Sequence, residues 1–328
     1  MIQYLCTEKH PYTLGRFLAR WGKPLAPRVR IVTYEQTRCW LRGGSLGRRW
    51  TGGGLRGVVN AWYAGRGAPR PATALPRPPA GTWIFGDVDR LSPAHREEAA
   101  VFRDRLVAAG AATALHNDPL ETMGRYELLR TLREAGVNDF DVYRCTKARR
   151  PRRYPVFLRT EDDHVGAASP LLEDEAALDA ALARLGADGL SRERRLIVEF
   201  HGERDDRGLF RKYAAWFVGG KVLPGHLFFG PDWMLKEPKV VDERSLREER
   251  AYLEENPHAE VLARAARLAR VDYGRVDYAV VGGRVQVYEI NTNPGVPSSP
   301  SPGPGALRTD IDAAFTARFL EAFAALDT

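Results

Sequence analysis

Residues 275–295 read RVDYAVVGGRVQVYEINTNPG, and this stretch decides the fold. Two runs rich in valine flank Gly282-Gly283, a pattern that is typical of a β-hairpin. Side chains alternate between the two faces of a strand, so Glu289 and Asn291 share one face, about 7 Å apart. The second strand therefore presents a carboxylate and a carboxamide on the same side.

The length of the turn decides whether this pair meets Arg275 and Asp277 of the first strand. A two-residue turn sets Val276 opposite Glu289 and directs Asp277 to the other face. A three-residue turn, residues 281–283 with a left-handed last glycine, sets Arg275 opposite Glu289 and leaves Asp277 diagonal to it. We predict the three-residue turn, because it brings all four polar side chains to one face.

The polar groups on this face have the chemistry of a magnesium site. Clustered carboxylates raise each other's pKa unless a cation neutralises them. A few oxygen ligands, completed by phosphate oxygens, suit Mg²⁺ rather than Zn²⁺. A hairpin with a plain polar face is the alternative, but Glu, Asn and Asp are poor strand formers and here occupy one face together. The sequence therefore predicts that Asp277, Glu289 and Asn291 bind Mg²⁺, a role that Mn²⁺ could also fill.

The same stretch resembles the ATP-grasp superfamily. Its carboxylate–amine ligases, including the D-alanine–D-alanine ligase and ribosomal-protein glutamyl ligase families, carry Arg-x-Asp, a hairpin, then Glu-x-Asn-x-x-Pro-Gly, and each position is matched here. The resemblance implies that Asp277, Glu289 and Asn291 hold two Mg²⁺ ions that bridge the phosphates of ATP. It implies a catalytic Arg275 that steadies the transferred phosphate or a later oxyanion. It also implies an α/β (α+β) architecture, the ATP-grasp fold with an N-terminal pre-ATP-grasp α/β subdomain.

Element patterns, together with the resemblance, predict three units along the chain. Strands alternate with helices in residues 1–118, which predicts a small parallel α/β unit. Residues 119–201 are predicted to be the small ATP-grasp subdomain with a linker helix, and 202–328 the C-terminal subdomain with the metal site. Residues 38–81, rich in Gly, Arg, Pro and Trp, predict a mobile insertion. Residues 86–89, Gly-Asp-Val-Asp, are either a ligand-binding edge or a capped turn.

The resemblance further implies contacts to ATP. Where relatives carry two phosphate-binding lysines, this chain has Arg125 and Arg159, which keep the charge but are not interchangeable with lysine. The expected phosphate loop, residues 164–168, holds one glycine where relatives are rich in glycine and serine. The other implied ATP contacts are Glu199, Phe200 and His201 at the adenine, Asp206 at the ribose (with Asp205 and Glu203 as rivals), and Arg211 or Lys212, together with Lys236, near the phosphates or the substrate.

Composition limits the classes of function. The 328 residues are 44% hydrophobic, carry a net charge of +7 and include three scattered cysteines. This argues for a soluble globular protein without a disulfide framework or structural zinc. No apolar run approaches the roughly 20 residues that span a bilayer, and the start lacks the pattern of a leader, so we expect a cytoplasmic protein without a membrane partner. The arginines are spread along the chain, so an anionic small substrate accounts for the charge better than nucleic acid.

Together these features predict an ATP-dependent carboxylate–amine ligase. A carboxylate would be activated as an acyl phosphate and attacked by an amine, from small-molecule or peptide substrates. A kinase acting on a hydroxyl group and a non-catalytic nucleotide-binding module remain open as alternatives, the latter because of the two arginines. By the same resemblance, the loop at 297–304 is the candidate for substrate contact. The sequence predicts neither the two substrates nor the oligomeric state.

Overall fold

The computed structural model describes residues 1–41, 78–147, 149–163, 166–303 and 305–327, without the side chain of Cys39. The predicted insertion at 38–81 lies largely outside these ranges, and its mobility stays a prediction. His164 and Val165 of the expected phosphate loop also lie outside them.

Strands and helices are mixed along the described chain. The strands are β1 (Ile2–Cys6), β2 (Val29–Thr33), β3 (Gly81–Phe85), β4 (Ala112–His116), β5 (Val142–Arg144), β6 (Val156–Thr160), β7 (Arg195–Glu199), β8 (Phe210–Val218), β9 (Lys221–Gly230), β10 (Tyr273–Val281) and β11 (Arg284–Asn291). The helices are α1 (Tyr12–Arg20), α2 (Tyr34–Leu41), α3 (Pro93–Ala108), α4 (Arg125–Glu134), α5 (Glu175–Ala187), α6 (Glu243–Glu255), α7 (Ala259–Ala269) and α8 (Gly305–Ala324). The predicted α/β class is confirmed.

The first sheet is parallel, in the order β2-β1-β3-β4. Every residue of β1 and β3 is buried, as expected for parallel strands covered on both faces. Trp83 and Phe85 pack on one face with Phe102 of α3, and Ile2 and Tyr4 belong to the larger core on the other face.

The other two sheets are antiparallel. The middle sheet has the order β5-β7-β6, and the C-terminal sheet has the order β11-β10-β8-β9. Each of the three sheets falls within one predicted unit, although the unit boundaries themselves stay a prediction. The larger core, however, joins the first sheet to the third, since Phe17 of α1 contacts Phe319 of α8 with ring centroids 5.1 Å apart. Thus residues 1–41 and 210–327 are packed around shared apolar side chains.

The predicted three-residue turn of the last hairpin is wrong. Gly282 and Gly283 form a two-residue turn with φ values of 55° and 76°, a conformation open to glycine. A β-bulge at Tyr288 shifts the register, so that Asp277 lies directly opposite Glu289 rather than diagonal to it. The four polar residues still share one face, because the extra residue lies at the bulge in β11 rather than in the turn.

Candidate nucleotide and metal site

The pairing of β10 with β11 sets the geometry of the site. Asp277 faces Glu289, and Arg275 faces Asn291 on the next pair of the same side. All four residues line one cavity, as does Tyr288. A regular strand would turn Tyr288 and Glu289 to opposite faces, so the bulge explains how neighbouring residues both reach the cavity.

Asp277 is held between two cations. Its Oδ1 accepts a hydrogen bond from Arg275 Nε at 2.7 Å, and Lys212 Nζ lies 2.7 Å from Oδ2. Burial alone would raise the pKa of this carboxyl group, but Arg275 and Lys212 outweigh burial and lower the pKa to about 2. Asp277 is therefore a carboxylate throughout the physiological range of pH.

Glu289 is shared by the two arginines that replace the expected lysines. Arg125 and Arg159 each donate from Nη2 to Glu289 Oε2 at 2.9 Å. Arg125 also donates from Nη1 to the carbonyl oxygens of Thr160 at 2.8 Å and Glu161 at 3.0 Å. Arg125 reaches these three acceptors from two nitrogens held in the planar fork of a guanidinium group, whereas all donors of an ammonium group sit on one nitrogen.

The cavity has a volume of about 260 Å³ and changes character along the hairpin. Near the turn its walls are apolar, with Val280 and Ala279 of β10 and Tyr288 of β11. Toward the other end they carry Asp277, Glu289 and then Arg275 and Asn291. Four aromatic side chains close the apolar end: Phe140, Phe157 and Phe200 in or beside the middle sheet, and Trp233 in the loop after β9.

The structure places the expected adenine-contacting residues at this apolar end. Phe200 lies edge-on to Trp233, with ring centroids 5.6 Å apart, and His201 accepts a hydrogen bond at its carbonyl oxygen from Tyr288. Glu199 also lines the cavity, but its carboxylate faces other groups. Its Oε1 accepts from Tyr143 Oη and the Arg152 amide, and its Oε2 from the Asp141 amide. This carboxylate therefore holds Tyr143 and neighbouring backbone, and its contact with adenine stays a prediction.

The residue expected at the ribose lies elsewhere. Asp206 is exposed, pairs with Arg244 at 2.9 Å, and is not among the residues that line the cavity. Its rival Asp205 binds the backbone amides of Arg207 and Leu209. The other rival, Glu203, does line the cavity, where its Oε2 accepts a hydrogen bond from the Gly282 amide.

Three of the basic residues that line the cavity are shared with a neighbouring cavity. Lys212, Lys236 and Arg275 line this cavity and also a second cavity beside it. Gly166, the glycine of the expected phosphate loop, lies against Lys236, where an added Cβ would come 2.8 Å from its Cε. Lys236 therefore reaches the cleft, as expected, and touches the described end of that loop.

The oxygen atoms of this face fit a hard divalent cation. Two carboxylates lie opposite each other, and Asn291 adds an amide whose Oδ1 accepts from the Asn293 amide at 2.9 Å. Among the described residues, no group of three or more His, Cys, Asp and Glu side chains could hold a metal ion alone. Such a set would need oxygens from phosphate to complete a shell, which is the mode in which proteins bind Mg²⁺ with nucleotides.

A network beyond the cavity fixes the loop that follows β11. Asn293 donates to Asp87 Oδ2 at 2.9 Å and accepts from Tyr4 Oη at 2.8 Å, and Thr292 donates to Asp89. Residues 86–89 thus connect the edge of the first sheet to the loop after β11. None of these four residues lines the site cavity or the cavity beside it. Sequence reasoning missed this link, since nothing local pairs residues 206 positions apart.

Comparison with known proteins gives a distant likeness. No protein-family model and no curated protein sequence matches the chain. D-alanine–D-alanine ligase from Bacillus anthracis complexed with ATP superposes with a TM-score of 0.47 at 12% identity, over 98% of both chains. A second structure of that ligase superposes with a TM-score of 0.46 at 12% sequence identity, again over 98% of both chains. L-amino acid ligase from Bacillus licheniformis superposes with a TM-score of 0.43 at 13% sequence identity, over 89% of this chain and 66% of the ligase chain.

Within the described ranges, no helix is both long enough and apolar enough to cross a bilayer.

Proposed function

We propose that this protein is an ATP-dependent carboxylate–amine ligase whose nucleotide lies in the cavity between the middle and C-terminal sheets. The observation that carries the proposal is the order of groups along β10 and β11. Apolar walls suit a base, the following carboxylates and amide suit a magnesium ion, and the basic residues beyond them suit phosphate. This order matches the order of parts in magnesium-bound ATP.

The reaction needs no nucleophile from the protein. An oxygen of the substrate carboxylate attacks the γ-phosphorus of ATP, the bond from that phosphorus to the bridging oxygen breaks, and ADP leaves. The amine nitrogen then attacks the acyl carbon, the C–O bond to phosphate breaks, and one proton leaves the nitrogen. Asp277, Glu289 and Asn291 would hold Mg²⁺, and the ion would neutralise the negative charge of the phosphates.

The basic side chains have distinct tasks in this scheme. Arg275, Lys212 and Lys236 line the junction of the two cavities, where they would stabilise the charge on the transferring phosphoryl group. Arg125 and Arg159 would share their bonds between Glu289 and phosphate oxygens, since a guanidinium group can grip two acceptors at once.

Trapping the acyl phosphate tests the proposal. Protein, Mg-ATP, a panel of carboxylic acids and hydroxylamine should yield an acyl hydroxamate and ADP in equal amounts. A kinase would instead phosphorylate hydroxyl compounds and give no hydroxamate. A non-catalytic module would bind Mg-ATP without release of ADP. Either of these results would reject the ligase.

A further inference from the structure

A second cavity, of about 250 Å³, lies beside the first on the same face of the C-terminal sheet. Lys212, Lys236 and Arg275 line both cavities, so their basic groups form the boundary between the two. The second cavity is enclosed by strands β8 and β9, by helix α8 and by the loop after β11. Pro297 and Ser299 of that loop line it. It therefore adjoins the position proposed for the γ-phosphate.

The walls of the second cavity are flat and aromatic. His226 stacks on Phe228 with ring centroids 3.9 Å apart and planes 10° apart, and Trp216 packs on Phe315 at 4.8 Å. Burial, helped by the charge of Arg275, lowers the pKa of His226 well below its ordinary value. His226 lies in β9, where its ring extends the aromatic wall.

The charged groups on the side of α8 are already paired. Arg308 Nη1 donates to Glu249 at 2.6 Å, and its Nη2 donates to Asp312 Oδ1 at 2.9 Å. The other oxygen of Asp312 accepts a hydrogen bond from the Ser301 amide. One arginine faces two carboxylates, so a second carboxylate on a ligand placed there would lose its water and meet a surplus of negative charge, which is unfavourable.

We infer that the second cavity holds the acyl donor, a small monocarboxylic acid with an uncharged, flat or branched apolar tail. Its carboxylate would lie at Lys212, Lys236 and Arg275, and its tail between Trp216 and Phe228. The second cavity, of about 250 Å³, has room for a compact acid whose tail is one ring or a short branched chain. This inference rests on the proposed ligase function and adds its substrate class.

A panel of acids in the hydroxamate reaction tests the substrate class. Benzoate, phenylacetate and 4-methylpentanoate carry one carboxylate on an apolar tail, whereas acetate lacks the tail and succinate and L-glutamate carry a charged one. At least one acid of the first group should exceed all three others in kcat/KM by about tenfold or more, since a filled apolar pocket discriminates by that order.

A pair of loop variants tests the location. Ser299 is exposed and lines only the second of the two cavities, whereas its neighbour Ser298 lines neither. Ser299→Trp should fill the cavity and raise KM for the preferred acid by about tenfold or more, with the Kd for Mg-ATP unchanged. Ser298→Trp should leave both constants near those of the unmodified protein.

The outcomes separate the two proposals. Hydroxamate formed equally well from acetate, succinate or L-glutamate, or an equal effect of Ser299→Trp and Ser298→Trp, would overturn the inference while the ligase stands. No hydroxamate from any acid would overturn both. Preference for an apolar acid, weakened only by Ser299→Trp, would support both.

Discussion

At the scale of single residues, the site is defined by how its charges are shared. Two carboxylates are bonded to four cations: Arg275 and Lys212 on Asp277, and Arg125 and Arg159 on Glu289. This excess of positive charge suits a ligand that brings both a divalent cation and several phosphate charges. The carboxylates and amide were predictable because strand alternation fixes them locally. The partners of Glu199 and Asp206 were not predictable, because Glu199 accepts hydrogen bonds from distant backbone amides and Asp206 pairs with Arg244.

Glu289→Gln tests the assignment of the metal ligands. Loss of the charge should lower kcat by about 100-fold or more, because a ligand to the ion is weakened, while circular dichroism stays that of the unmodified protein. Glu255→Gln, on an exposed position of α6, is the control and should keep full activity. Equal kcat in both variants would show that Glu289 is not a metal ligand.

Arg125→Lys tests why arginine stands in place of lysine. A lysine offers one donor nitrogen where Arg125 uses two, so bonds to the Thr160 and Glu161 carbonyl oxygens or to Glu289 should be lost, and the free energy of unfolding should fall by about 2 kcal/mol. The affinity for Mg-ATP should fall as well. Arg267→Lys, at an exposed position of α7, is the matched control. Denaturation curves that coincide for the two variants would contradict this explanation.

At the scale of elements, two bulges shape the face of the C-terminal sheet. One at Tyr288 aligns Asp277 with Glu289, and another at Gly225 adjusts β9 against β8. The sequence indicated the hairpin of β10 and β11 through Gly282-Gly283, but the position of its bulge depends on contacts across the strands. Helix α6 was missed for a related reason, since its many charged residues conceal the buried positions of Leu246, Tyr252 and Leu253.

Gly225→Ala tests the second bulge. A Cβ at this position would lie 1.8 Å from Cζ3 of Trp216, whose ring is packed between Phe315 and Arg275. Overpacking should lower the free energy of unfolding by about 1–3 kcal/mol.

Gly186→Ala in α5 is the control for that substitution, because nothing lies within 4 Å of its added Cβ. It should stabilise the protein by up to about 1 kcal/mol through helix propensity. Thermal denaturation compares the two, and a neutral Gly225→Ala would show that Trp216 can move freely.

At the scale of the whole molecule, the first sheet is packed and hydrogen-bonded to the loop after β11. Asn293 bonds Tyr4, Thr13, Asp87 and the His10 carbonyl oxygen, and the aromatic residues of α8 continue the core between the two sheets. The alternation of strands and helices predicted the first, parallel sheet, and the Gly282-Gly283 pair predicted the last hairpin. The packing between them was not predictable, because hydrophobic periodicity tells which face is buried but not which element covers it.

Asn293→Ala tests this connection. Removal of the amide leaves buried polar groups on Tyr4 and Asp87 with fewer partners, so the free energy of unfolding should fall by about 2 kcal/mol or more. The Kd for Mg-ATP should rise too, since the loop beside Asn291 loses its anchor. Ser299→Ala, exposed on the same loop, should have no effect on the Tm. Unchanged Tm and Kd in the Asn293 variant would mean that the network does not hold the loop.

Calorimetric titration of Mg-ATP into the protein tests the central claim most directly. We expect binding at one site that weakens strongly when Mg²⁺ is replaced by a chelator, and that weakens likewise in Asp277→Asn and Glu289→Gln with Mg²⁺ present. Absence of binding, or binding that depends on neither Mg²⁺ nor these two carboxylates, would contradict the account.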